Sequence, residues 1–106
     1  MFMLLDVRQY EVKNEVDDLN TELVFGKVLK AVRTKYDISQ EELAFRSNLD
    51  RTYISMLERG IHQPSLSSLM SIAQAVNIKA SDLVRLYEIE LEKHTSHDNH
   101  LNADRP

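Results

Sequence analysis

Residues Ser39 to Gly60 run SQEELAFRSNLDRTYISMLERG. Ser39-Gln40-Glu41-Glu42 is a capping-box pattern, in which Ser39 accepts from a first-turn amide while Glu42 reaches back. A short helix follows and ends near Ser47-Asn48, where Asn tolerates the left-handed conformation that a tight turn needs. Asp50 then offers a carboxylate to cap another helix running through Glu58. Arg59-Gly60 closes it, with glycine in the left-handed C-terminal position. Leu43, Leu49, Ile54 and Leu57 are apolar where two helices meeting at a steep angle share a core, and Ala44 is small where their backbones come closest. Advancing about 100° per residue, Ile54 and Leu57 point one way while Thr52, Ser55, Met56 and Arg59 point the other, with Arg51 at the edge of the first turn.

On either side the text is also helical, since Gly and Pro are scarce and the periodic stretches are long. From Thr21 to Tyr36, Val24, Phe25, Val28, Leu29, Val32 and Tyr36 recur at helical spacing, with Asn20 or Thr21 as cap. Pro64-Ser65 restarts the chain after the central pair. Ser65 caps a helix whose apolar set is Leu66, Leu69, Ile72, Ala73 and Val76, and Asn77 stops it. A last segment from about Ala80 to Lys93 carries Leu83, Val84, Leu86, Tyr87, Ile89 and Leu91. Its apolar arc is too wide for one seam, so it needs a second neighbour, either another subunit or the N-terminal segment. The expected fold is all-α with five helices. Its parts are an N-terminal extension (residues 1–20), a helical domain (21–93) and a polar, flexible tail (94–106).

The chain of 106 residues is 42% hydrophobic, has no Cys and carries a formal net charge of −4. Its length and apolar content suffice for one core, and the missing Cys excludes a disulfide scaffold or thiolate metal site. The apolar start Met1-Phe2-Met3-Leu4-Leu5 is broken by Asp6 and Arg8. It is too short for a signal-peptide core or a membrane span, which points to the cytoplasm. An acidic sum counts against nucleic acid, whose phosphates are neutralised by Lys and Arg. The acidity is peripheral, however: residues 1–20 sum to −3, residues 84–106 to −2 and residues 21–83 to +1. A near-neutral centre can still present one basic face.

A unit of two short helices with a tight turn is a helix-turn-helix, whose second helix can enter the major groove of DNA. On the outward face, Arg51 can donate a bidentate pair to guanine, Thr52 can meet a base edge or thymine methyl, Met56 can make an apolar contact, and Ser55 lies between them. Near the same edge, Gln40, Arg46, Arg59 and Lys35 can hold phosphates, Gln40 also through the amides and dipole of its helix start. Tyr53 either packs against the domain or lends its hydroxyl to the sugar-phosphate backbone.

Phe25 to Val84 resembles the Cro/phage-repressor family of helix-turn-helix regulators, also called XRE-like. The resemblance is carried by Leu29-Lys-Ala-Val-Arg33, Ser39-Gln-Glu-Glu-Leu-Ala44, Leu49 through Gly60, Pro64-Ser65 and Leu69. It implies a five-helix, lambda-repressor-like DNA-binding domain and dimeric binding to a palindromic operator by a transcriptional repressor or autoregulatory controller. It also implies that Arg33 pairs with Glu58. Asp50-Arg51-Thr52-Tyr53-Ile54-Ser55 is especially similar to the controller proteins of restriction-modification systems and short prophage repressors. Two departures stand out: Asn48 replaces the common turn Gly, and Met56 stands where many relatives have a polar reader.

If another subunit is the neighbour of the last helix, Leu83, Leu86, Tyr87, Ile89 and Leu91 supply the dimer interface. No catalytic constellation is present, and no cofactor or metal is implied. His94, His97 and His100 recur every three residues, which on a helix can hold a metal but reads better as a solvated tail. His62 reads as a loop residue near the third helix. Two rival functions share this fold. One is an antitoxin that binds its promoter and masks a toxin partner; the other is a protein-binding helical module without DNA binding.

Overall fold

The computed structural model describes the backbone of residues 20–103 and the side chains of residues 20–94. The expected N-terminal extension, Asn20 apart, and the side chains of His97 and His100 lie outside the described residues. Five helices follow in order: α1 (Thr21–Lys35), α2 (Gln40–Ser47), α3 (Arg51–Glu58), α4 (Leu66–Ala75) and α5 (Ala80–Ala103).

Three of the starts are capped by the side chains that local chemistry favours. Asn20 Oδ1 accepts from the Leu23 amide at 3.0 Å, Ser39 Oγ from Glu42 at 3.0 Å, and Ser65 Oγ from Ser68 at 3.1 Å. Two expectations are corrected here. Glu42 does not complete a reciprocal box, because its carboxylate pairs with Arg46 one turn on, at 2.8 Å. Asp50 has the extended cap conformation but makes no side-chain capping bond.

The helix ends share one device. Asp37, Asn48, Gly60 and Asn77 all adopt positive φ. In each case the next amide reaches back to a carbonyl five residues earlier: Ile38 to Arg33, Leu49 to Ala44, Ile61 to Met56 and Ile78 to Ala73, at 2.9–3.1 Å. This satisfies carbonyls that a helix end would otherwise leave bare, and at three of the four ends it turns an apolar side chain back toward the core, whereas Ile61 stays exposed. Ile38 is buried as a result, and Leu49 and Ile78 pack at the core's edge.

The core forms where α1 lies across α3 and α5 while α2 packs on α3 and α4. Phe25, Leu29, Leu43, Ile54, Leu57, Ile72 and Leu83 are its fully buried large side chains. Burying each stabilises the fold by about 1.5–3 kcal/mol. The backbones come close at Gly26, where a Cβ would stand 2.5 Å from the carbonyl oxygens of both Leu57 and Glu58. A hydrogen in place of a side chain therefore lets α1 sit directly on the end of α3. α5 is helical to Ala103, past the Lys93 at which the sequence placed the domain's end.

Candidate nucleic-acid interface

α3 has two faces of opposite character. Ile54 and Leu57 are fully buried, whereas Arg51, Thr52 and Arg59 are exposed and Ser55 and Met56 half-buried. Nothing else among the described residues covers the outer face at Arg51 and Thr52. Arg59 Nε lies 3.2 Å from Ser55 Oγ, so the basic group at the helix end is held over the face. Tyr53 packs against the core as a half-buried side chain. His62 is exposed in the loop beyond.

One carboxylate ties the end of α3 to its neighbours. Glu58 Oε2 accepts from Arg33 Nε at 2.6 Å, and Oε1 accepts from Arg33 Nη2 and from Gln40 Nε2, each at 3.0 Å. Arg33 Nη1 also donates to the Ile38 carbonyl at 2.8 Å. The side chains are only 12% and 4% exposed. A fork-to-fork pair in which all three guanidinium nitrogens donate satisfies charges that neither group tolerates buried alone. The Glu58 hydrogen bond raises the Arg33 guanidinium above its ordinary range, against the opposing effect of burial. This one cluster joins α1, the turn after it, α2 and α3.

The phosphate-holding set is not all brought together. Gln40 is committed to Glu58, although an amide nitrogen carries two hydrogens, and it stands at the start of α2. Arg46 is exposed and shared with Glu42. Lys35 stands apart from the others. It lies about 200° round α1 from Arg33, on the face turned away from Glu58. There it lines a groove with Leu86 and Ile89 of α5, and its ammonium sits 5.8 Å from the Tyr36 ring centroid.

The expected dimer stripe on α5 is also redistributed. Leu83 is fully buried in the chain's own core and cannot supply an interface. Tyr87 packs edge-on to Phe25, with ring centroids 5.6 Å apart, and its hydroxyl meets Thr21 and Gln63. Leu86 and Ile89 face the α1 groove, and Leu91 is half-buried.

Two residues that position the helices were missed by sequence reasoning. Gly26 carried a signal, as an isolated glycine inside a helical pattern often marks close packing. Gln63, which also donates to Thr21 Oγ1 at 3.1 Å and so ties the loop after α3 to the start of α1, carried none. Its partners lie far away in sequence. Among the described residues, no group of three or more His, Cys, Asp or Glu is placed to hold a metal ion, and no helix is long and apolar enough to cross a membrane.

A short helix pair locked at a left-handed turn, with one helix face buried and the other presented, is a helix-turn-helix domain. The chain belongs to the helix-turn-helix family, whose profile matches residues 29–83. It is similar to control protein C.BamHI of Bacillus amyloliquefaciens, with 41% identity over 66 residues that cover 61% of this chain and 82% of that protein. Among solved structures it resembles the restriction-modification controller protein C.AhdI from Aeromonas hydrophila. That match has 40% identity and a TM-score of 0.57, and covers 58% of this chain and 94% of that one. It also resembles the controller protein C.Esp1396I, solved as a tetramer with its natural 35-base-pair operator: 31% identity, TM-score 0.62, 67% of this chain and 93% of that one.

Proposed function

We propose that this chain is a sequence-specific DNA-binding regulator of transcription that occupies a palindromic operator as a dimer, in the manner of an autoregulatory controller. The observation that carries this reading is the division of α3. Its inner side chains are fully buried and its frame is clamped at Glu58, so Arg51 and Thr52 stand on a rigid, uncovered first turn. The N-terminal residues of a second helix are those that meet base edges when it lies in the major groove. Arg51 pairs with guanine O6 and N7, Thr52 and Ser55 with adjacent edges, and Met56 with a thymine methyl. Arg59, Arg46 and the start of α2 at Gln40 contact phosphate and fix the register.

Dimerisation falls to the outer face of α4 and α5. Leu66, Met70 and Val84 are 75%, 55% and 37% exposed. Leu66 and Val84 line one cavity with Pro64 and Leu69, and Met70 follows Leu66 by one helical turn. Two α3 helices reading successive grooves stand about 34 Å apart, so the shared face must lie beside the end of α3. The start of α4, reached through the loop at residues 59–65, meets that requirement.

Selection from a random double-stranded DNA pool tests the reading. The expected product is an inverted repeat whose half-sites contain a guanine that Arg51 reads. Recovery of no enriched sequence at low salt would end it.

A further inference from the structure

The groove between α1 and α5 lies apart from the DNA-reading surface. Ala31 and Lys35 stand about 140° and 180° round α1 from Gly26, the residue that touches α3. The groove floor is apolar, formed by Val28, Ala31, Val32, Leu86 and Ile89, with Leu86 41% and Ile89 42% exposed. Its rim is basic. Lys27, Lys35 and Lys93 surround the single carboxylate Glu90, and Arg85 and Asp82 continue it past Leu86. Glu90 is already shared by Lys27 at 2.9 Å and Lys93 at 3.5 Å, which leaves the rim with net positive charge.

We propose that the groove is the docking site of this chain's own N-terminal segment, residues 1–19. Three observations select that occupant. The segment carries Met1, Phe2, Met3, Leu4, Leu5, Val7 and Tyr10 for an apolar floor, and its charges sum to −3 against the basic rim. A second copy pairing groove to groove would instead bring like charges together. The geometry also allows it. Asn20 caps α1, and Lys27 lies about 10 Å further along that helix. Residues 13–19 alone can span up to about 23 Å, enough to turn back and lay the apolar residues before them along the groove. Docked there, Asp6, Glu11 and their acidic neighbours are held on the side of α1 away from α3, where they do not repel phosphate.

A spin label tests this in the full chain, which contains no native Cys. A nitroxide is attached through Gln9→Cys, and backbone amide signals are compared before and after its reduction. The expected result is loss of signal at Ala31, Leu86 and Ile89 but not at Met70, restored by Ala31→Glu. Ala31 is exposed and Glu is a good helix former, so that variant keeps its fold. A mixture of isotope-labelled unmodified chain with unlabelled spin-labelled chain should show no loss. The proposal is overturned by an absence of loss in the groove, by equal loss at Met70, by indifference to Ala31→Glu, or by the same loss in the mixture.

Discussion

Glu58 accepts from Arg33 through two nitrogens and from Gln40 through one, and this concentrates the orientation of α3 in a single side chain. Removing the carboxylate strands a guanidinium that is 12% exposed. Breaking a buried pair costs about 3–5 kcal/mol, and this one, at the rim of the core, should cost about 2–4 kcal/mol. Glu58→Ala is expected to lower stability by that amount in urea unfolding, while Glu58→Gln, which keeps one acceptor oxygen, should lose less. A change within the error of the wild type would remove the clamp from the account. Arg33 and Glu58 were legible as a pair only through family resemblance. The third donor, Gln40, was not, because the sequence shows it as a polar residue at a helix start and the phosphate role is the ordinary reading of that position. The position of Lys35 beside Leu86 and Ile89 was not legible for a similar reason: a cation near the end of α1 shows its neighbours only once the helix angle is known.

At the level of the helices, the turns were as legible as the starts, each with one exception. Asn48, Gly60 and Asn77 are residue types that accept positive φ, and each does so. Asp37 does the same without a glycine or asparagine to mark it. The α2–α3 corner depends on Asn48, with φ 59° and ψ 40°. Asn48→Val should therefore destabilise the domain by about 1–2 kcal/mol, the cost of a left-handed L-residue, and Asn48→Gly should be neutral or slightly stabilising. Paired thermal melts check both, and an indifferent Asn48→Val would mean that the corner does not need this geometry. The wide apolar arc of α5 was visible in the sequence, but its division was not. Leu83 goes inward, Leu86 and Ile89 face the α1 groove, and Val84 faces outward beside α4. Such a split depends on where the neighbouring helices lie, which periodicity alone does not contain.

The whole chain balances a near-neutral reader against acidic ends, with net charge −4 overall. Long-range attraction to phosphate is therefore weak, and affinity for an operator has to come from directed contacts and from pairing of two readers. Leu66→Glu together with Met70→Glu replaces two exposed apolar side chains by charge at the proposed dimer face. Sedimentation should then show a folded monomer, with operator affinity reduced at least tenfold; a variant that stays dimeric would move the interface elsewhere. The corner and buried core of the reader were largely present in the sequence between Ser39 and Gly60. The dimer face was not, because exposed apolar residues announce a partner without naming its direction. The decisive test of DNA reading is a binding titration of the wild type and Arg51→Ala against the selected operator and its single-base variants. Loss of about 1–3 kcal/mol on the preferred site, with discrimination relaxed at one base pair per half-site, is the expected result. Equal affinity and unchanged base preference in Arg51→Ala would contradict the assignment of α3 as the helix that reads DNA through its first turn.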